Sequence, residues 1–339
     1  MVHVGVDLHK RTSRPAVLMP AGEITQQRLE NDLRQLEQFF TQLPPGARVA
    51  IEASGTWWWL VDLVERLGHH AVLSNPKQTK AIAAARLKND RVDAERLALL
   101  LRGDLLPTVW IPPAGLREAR ELVRHRVSLV WVRTEIKNRL LALLSRRNLQ
   151  PTSSTRWLTG RGRRELEALP LGAIPSTVRE DCLALLRMLD EQIRHLDREL
   201  VQRWGDDPRV QRLRTIPVVG PFTAIVLILE LGEIQRFPSA KHLASYVGLT
   251  PRVRASANRV RMGHISKEGN RLLRWALVVA ATRAARQPGP LRAWFRTVQR
   301  RKGMKIARVA LARRLAEIVY QIWKQDVDFV TLIRGGVRR

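Results

Sequence analysis

The feature that most constrains this chain is a change of period near residue 112. Before it, short β-branched and apolar runs alternate with stretches whose apolar residues recur every three or four positions, and after it the three-to-four spacing dominates. Residues 2–8, 14–19, 23–29, 48–53 and 70–74 predict strands. Leu33, Leu36, Phe39, Phe40 and Leu43 predict a helix, as do Trp59, Leu60, Leu63, Val64 and Leu67, closed by Gly68. Pro76 opens another helix, and residues 90–101 form a further one. Three strands followed by alternating helices and strands predict an α/β domain with a mixed sheet.

Beyond residue 112 the expectation is all-α. Residues 113–147 carry Leu116, Leu122, Val123, Val127, Val130, Ile136, Leu140 and Leu144 without a helix breaker, and a polar stretch, 150–164, follows. In residues 178–204, Leu183, Leu186, Leu189, Ile193, Leu196 and Leu200 fall close to heptad spacing. Two long helices joined by a loop predict an antiparallel coiled-coil arm, with a plain helical subdomain as the alternative. The segment LRTIPVVGPFTAIVLILELG (213–232) has the form of a helix-hairpin-helix element, whose turn presents backbone N–H groups to phosphate, or of an ordinary Gly-Pro turn before a buried helix. The expected division is 1–112, 113–205 and 206–339.

Charge narrows the function. Fifty-nine Lys and Arg against 31 Asp and Glu give +28, and 49 of the basic residues are Arg, whose planar fork grips phosphate in two places. A GC-rich genome would also favour Arg. The excess is uneven: +2 over residues 1–100, +8 over 101–250 and +18 over 251–339. Between Gly269 and Lys324 the only acid is Glu317. A polyanion, nucleic acid first, is the expected partner of that C-terminal surface. One cysteine, Cys182, excludes a disulfide framework and paired-cysteine zinc sites. The apolar run 224–229 ends at Glu230 and is far shorter than a membrane span. With no charged-then-apolar leader at Met1, a soluble cytoplasmic protein with no membrane partner is expected.

Carboxylates inside apolar strands are costly unless paired or bound to a cation. Asp7 lies in HVGVDLHK and Glu52 in ARVAIEASG, each near a strand end, while Asp90 and Asp93 sit three apart at a helix start. Four convergent acids would suit Mg²⁺ or Mn²⁺, and a pair of such ions can stabilise both oxygens of a phosphoryl displacement. Taken singly, each has an ordinary use: Asp90 as an N-cap, Asp93 against the helix dipole, Asp7 in a turn, Glu52 beside a base. The Trp57–Trp58–Trp59 triplet could stack on bases or pack, and His9 and Lys10 could touch a phosphate or stay solvated.

GVDLHK (5–10), IEASGTWW (51–58) and KNDRVDAERLA (88–98) resemble the DEDD transposases of the insertion-sequence 110 family, related to pilin-gene invertases. TIPVVGPFTA (215–224), FPSAKHLASYVGLTP (237–251) and SANRVRMGHISKEGNRLLRWAL (256–277) resemble the same family's C-terminal transposase domain. The resemblance implies a RuvC-like, RNase H-type N-terminal domain with Asp7, Glu52, Asp90 and Asp93 as its metal-binding tetrad, and a serine nucleophile, by motif position Ser256. Where the family carries glycine-type residues after that serine, this chain has Ala257 and Asn258, and Ser266 is the alternative hydroxyl. Arg252, Arg254, Arg259 and Arg261 flank Ser256, and with Lys267, Arg271 and Arg274 they are the expected phosphate contacts. The implied activity is site-specific cutting and rejoining of donor and target DNA through a phosphoserine link, guided by an element-encoded structured RNA, in a homodimer or homotetramer. Two rival readings stand beside it: a RuvC-like junction nuclease using metal-activated water, and a catalytically inactive nucleic-acid-binding protein.

Overall fold

A computed structural model describes residues 1–53, 55–82, 90–149, 158, 160–256 and 259–335. The chain divides into two units, Met1–Pro112 and Pro113–Arg339.

The first unit begins with β1 (His3–Leu8) and β2 (Thr12–Leu18), antiparallel because the link between them is too short for a crossover. The expected third strand, 23–29, is two pieces, β3 (Ile24–Gln26) and β4 (Leu29–Glu30), both antiparallel to β2. Helix α1 (Leu33–Thr41), capped by the Asp32 carboxylate, returns the chain so that β5 (Arg48–Glu52) lies parallel to β1. Helix α2 (Trp58–Arg66) does the same for β6 (His70–Ser74), parallel to β5. Then come α3 (Pro76–Ile82), α4 (Asp90–Arg102) and β7 (Thr108–Val109), antiparallel to β6 and too short to leave a period in the sequence. The resulting order is β3-β2-β1-β5-β6-β7.

The two faces of this sheet are built differently. Val4, Val6, Leu8, Val49 and Ile51 join Leu36, Phe39, Phe40, Leu60, Leu63 and Val64 in one core. On the other face Gly5 and Ala50 leave room for α4 to lie on the strands. A Cβ at Gly5 would stand 2.1 Å from the Ala94 carbonyl oxygen and 2.6 Å from the Ala98 nitrogen, and Ala50 packs with Leu97, Leu101 and Leu106. Trp57 and Trp59 are partly buried against the first core, while Trp58 meets Trp57 edge to face at 6.0 Å between ring centres.

The second unit opens with α5 (Ala114–Ser145), followed by α6 (Gly160–Glu167) and α7 (Ala173–Trp204). Helix α6 falls partly in the stretch read as polar loop, since two turns with Leu166 as the one buried apolar side chain among the described residues carry too little period to detect. Helix α7 starts five residues earlier than expected, because Pro175 sits in its first turn, where a missing N–H costs no hydrogen bond. Arg126 binds Asp197 and Arg133 binds Asp190, so one heptad forward on α5 is one heptad back on α7 and the pair is antiparallel. Ile136, Leu140 and Leu144 face Cys182, Leu183, Leu186 and Leu189 along the seam.

The remaining elements are α8 (Pro208–Arg214), α9 (Pro221–Leu231), α10 (Ala240–Tyr246), the hairpin β8 (Pro251–Ser256) and β9 (Arg259–Ile265), α11 (Arg271–Ala284), α12 (Pro290–Lys302), α13 (Met304–Gln325) and α14 (Phe329–Arg334). Every residue of α9 from Ala224 to Leu231 is buried, so the apolar run at 224–229 is a helix at the centre of this core. Among the described residues no helix is long and apolar enough to cross a membrane. Val123, Val127 and Leu200 belong to the same core as α8–α14. That shared core is why 113–205 and 206–339, divided in the sequence reading, fall in one unit.

Candidate carboxylate edge and serine hairpin

Backbone register places two of the four acids side by side. Parallel pairing of β1 with β5 runs from His3 beside Arg48 to Val6 beside Ile51, and one further step sets Asp7 beside Glu52. Registered residues on adjacent strands point to the same face, about 4.8 Å apart. Alternation makes that the face of Gly5 and Ala50, against which α4 lies.

The direction of α4 brings the other two acids to the same edge. Asp104, just past the end of α4, accepts a 2.8 Å hydrogen bond from Arg48, the first residue of β5, so α4 runs antiparallel to β1 and β5. Its start therefore lies over their carboxyl ends. Asp7 is two strand residues past Gly5, about 6.6 Å, and Asp93 is one turn before Leu97, about 6 Å, so both stand at nearly the same height above the Gly5 contact. Asp90 opens α4, and its side chain lies outside the described residues. At the opposite end, burial and the nearby Arg48 and Arg102 guanidiniums hold the His3 imidazole below its ordinary pKa.

Asp7 and Asp93 each have a local partner. The Asp7 carboxylate, 14% exposed, is 3.1 Å from His9 Nε2, and Asp93 is 3.6 Å from Arg96. Glu52 is half-buried at the end of β5. Among the described residues no three His, Cys, Asp or Glu side chains stand close enough to hold a metal ion. Strand register and helix direction thus gather the acids along one edge, while the Asp7 and Asp93 carboxylates rest on local partners. In kind the donor set fits a hard divalent cation, being carboxylate oxygens throughout. Two residues of the same row escaped the sequence reading: Arg14 on β2, in register with Asp7, and Ser74 on β6, in register with Glu52. Only the strand pairing singles them out.

In the second unit, Ser256 ends β8 and pairs with Arg259, which opens β9, and Arg254 pairs with Arg261. The side chains of Ser256, Arg254, Arg259 and Arg261 lie outside the described residues, as do Ala257 and Asn258. Ser266 takes part in the turn after β9: its N–H donates to the Thr250 carbonyl at 2.8 Å and its Oγ accepts from the Glu268 N–H at 3.4 Å. Arg252 donates to the Ser266 carbonyl at 3.3 Å. Lys267 is exposed with a left-handed backbone (φ 56°). Arg271 is exposed at the start of α11, its guanidinium 5.4 Å from the Trp131 ring centre. Arg274 donates to the Val247 carbonyl at 2.9 Å, and burial lowers its pKa.

A carboxylate absent from the expected set lies at the centre of this unit. Glu230 is fully buried; Arg124 binds it in two places, at 2.7 and 3.0 Å, and Asn270 Nδ2 donates to it at 2.6 Å. The same Asn270 caps α11 by accepting from the Leu273 N–H. Arg120 donates to the Leu229 and Glu230 carbonyls at 2.8 and 2.9 Å, satisfying the end of α9. Burial lowers the Arg120 pKa, whereas the hydrogen bond to Glu230 raises that of Arg124. Part of the arginine excess is therefore internal scaffold. An exposed basic surface remains at Arg296, Arg300, Arg301, Lys302 and Lys305, where α12 meets α13.

Helices α8 and α9 flank a turn in which Val218 has φ 77°, a costly conformation for a β-branched residue, and Gly220 stands at the N-cap of α9.

Comparison with known proteins places these features in a wider set. Residues 210–296 match the family described as "Transposase IS116/IS110/IS902 family", and residues 4–148 match the IS110-type DEDD family described as "Transposase". The chain is 31% identical over 302 residues to a Sinorhizobium fredii protein named as a transposase, y4pF/y4sB, covering 85% of this chain and 76% of that one. It is 28% identical over 306 residues to the transposase for insertion sequence element IS1328 of Yersinia enterocolitica, covering 87% and 89%. With the pilin gene-inverting protein of Moraxella bovis it shares 29% over 305 residues, covering 82% and 80%.

Proposed function

Since the chain belongs to the IS116/IS110/IS902 transposase family, whose members act in DNA transposition and recombination, we propose that it cuts and rejoins donor and target DNA through a serine-linked intermediate at a divalent-cation carboxylate site. The observation that carries this reading is the edge where Asp7 and Glu52 stand in register and the start of α4, with Asp90 and Asp93, lies over them. Antiparallel β2, then β1, β5 and β6 in parallel with a helix across the acid-bearing face, supports a RuvC-like domain.

In this scheme Ser256 Oγ forms a bond to the scissile phosphorus as the bond to a deoxyribose oxygen breaks. The serine proton is given up in the attack, and the leaving oxygen takes one up as the DNA end departs. A second DNA end reverses the exchange: its hydroxyl oxygen bonds to phosphorus and Oγ leaves. One phosphate ester is exchanged for another at each step, so no ATP is required. Asp7, Glu52, Asp90 and Asp93 would hold Mg²⁺ or Mn²⁺, which supplies charge stabilisation for the reacting oxygens. Arg252, Arg254, Arg259, Arg261, Lys267 and Arg271 would neutralise the phosphate, with the Arg274 guanidinium bracing the segment through Val247.

The basic surface where α12 meets α13 is read as the bulk electrostatic contact, for DNA and for an element-encoded structured RNA that selects the sites. The antiparallel α5–α7 pair is read as a coiled-coil arm joining protomers in a homodimer or homotetramer, since two DNAs must be held together.

The test is to trap the full chain on cleaved DNA with Mg²⁺. A covalent adduct is expected for wild type and for Ser266→Ala, and none for Ser256→Ala or Asp7→Ala. An adduct that persists in Ser256→Ala moves the nucleophile elsewhere. Cleavage without any adduct, dependent on Asp7 but not on Ser256, replaces serine by water.

A further inference from the structure

We propose that Ser74 is a positioning residue of the carboxylate edge, its hydroxyl holding the Glu52 carboxylate in place for a divalent cation. The inference rests on the reading that Asp7, Glu52, Asp90 and Asp93 take up that cation.

Ser74 ends β6 and is completely buried. It stands in register with Glu52 on the parallel strand β5, so the two side chains share a face about 4.8 Å apart at the backbone. Its carbonyl already accepts the Ala53 N–H at 3.0 Å, but its Oγ has no hydrogen-bond partner among the described residues. Val72 and Ala50 on the same face, and Leu97 and Leu101 of the helix packed over it, are apolar and offer none. Of its two registered neighbours, Thr108 on β7 is exposed and Glu52 is half-buried.

A buried hydroxyl without a partner is a net cost that alanine would remove. The cost is recovered if the hydroxyl is used in another state of the site. A carboxylate that ligates a metal through one oxygen keeps the other for a hydrogen bond, and such outer contacts fix the ligand's orientation. Serine donates, carboxylate accepts, and Glu52 is the acceptor that the register sets beside it. Because β5 lies between β1 and β6, Glu52 stands between Asp7 and Ser74, and the hydroxyl is matched to a carboxylate that gives one oxygen to Ser74 and keeps the other on the Asp7 side for a cation.

The two possible roles of Ser74 predict opposite signs. A merely structural hydroxyl makes Ser74→Ala less stable without affecting metal uptake. A positioning hydroxyl makes Ser74→Ala no less stable without metal, and weaker for the cation. The experiment titrates Mn²⁺ into the full chain, reading bound ion by electron paramagnetic resonance, and measures urea unfolding without metal, for wild type, Ser74→Ala, Ser74→Thr and Asp7→Asn. Expected is a loss in Mn²⁺ affinity of about tenfold for Ser74→Ala, with metal-free stability equal to or above wild type, and affinity largely kept in Ser74→Thr, which retains the hydroxyl. Mn²⁺ affinity of Ser74→Ala within twofold of wild type, or metal-free stability below it, overturns the proposal and leaves the carboxylate site standing. If wild type takes up no Mn²⁺, or Asp7→Asn binds it equally well, the carboxylate site itself fails.

Discussion

Asp7, Glu52 and Glu230 each interrupt an apolar stretch, and the two units handle them in opposite ways. Glu230, at the end of VLILELG, is buried to nothing and answered by Arg124 and Asn270. Asp7 and Glu52, in HVGVDL and RVAIE, stand at an edge of the sheet. Glu230 has its partners within the fold and acts as a brace, tying α5, α9 and the cap of α11 together. Asp7, beside His9, and Glu52 are like charges on neighbouring strands, an arrangement that the proposed cation would relieve. An acid in an apolar run therefore asks for compensation: at Glu230 an arginine and an asparagine supply it, and at Asp7 and Glu52 the proposed cation would.

The comparison is sharpest when one acid from each unit is neutralised in place. Asp7→Asn is expected to lower DNA strand cleavage at least about a thousandfold, roughly 4 kcal/mol of barrier, with the unfolding midpoint close to wild type. Glu230→Gln is expected to cost about 3 kcal/mol of stability in urea unfolding, at the low end for broken buried pairs because Arg124 is 49% exposed and can turn to water. An exchange of these outcomes, with Asp7→Asn unfolding the protein and Glu230→Gln sparing its stability but not its cleavage, would reverse the assignment of brace and site.

Gly5→Ala probes how the edge is assembled. The added methyl would meet the backbone of α4 and push the helix off the strands, costing about 1–3 kcal/mol and lowering cleavage together with it. Unchanged unfolding would mean that α4 does not lie on β1. The smallest effect concerns Asp207, which caps α8 and pairs with Arg209. That hydrogen-bonded pair holds the Asp207 carboxyl below its ordinary pKa. A depressed folded-state pKa means that the contribution is complete above the unfolded value, about 3.9, and is lost as pH falls through the folded one. The stability gap between wild type and Asp207→Asn should accordingly close in strong acid, and a gap independent of pH would contradict the pairing.

Local pattern carried much of this reading. Period-two runs located β1, β2, β5 and β6 to within two residues at either end, and three-to-four spacing located α1, α2 and α5, because these elements bury a continuous apolar face that the sequence must encode. β7 and α6 escaped because two strand residues and a single buried leucine make no period. The resemblance to the insertion-sequence 110 family named the acids, but not what lies beside them. Arg14 and Ser74 had no signal of their own, and Glu230, though it closes an apolar run, gave no sign of its partners: a serine at a strand end or a glutamate closing a helix is commonplace until its neighbour across space is known.

The sequence by itself determined the alternation of strands and helices, the acids near the strand ends and the concentration of positive charge towards the C-terminus. All of these are written in composition and in the short-range repeat of apolar positions. Only the tertiary structure decided that β1 lies parallel to β5 in the register that aligns residue 7 with residue 52, that α4 runs back across Gly5 with its first turn over them, and that part of the arginine excess is internal scaffold. The physical reason is one of range. Period reports what a residue needs from its own element, whereas register, helix direction and the compensation of a buried charge depend on residues tens to more than a hundred positions away.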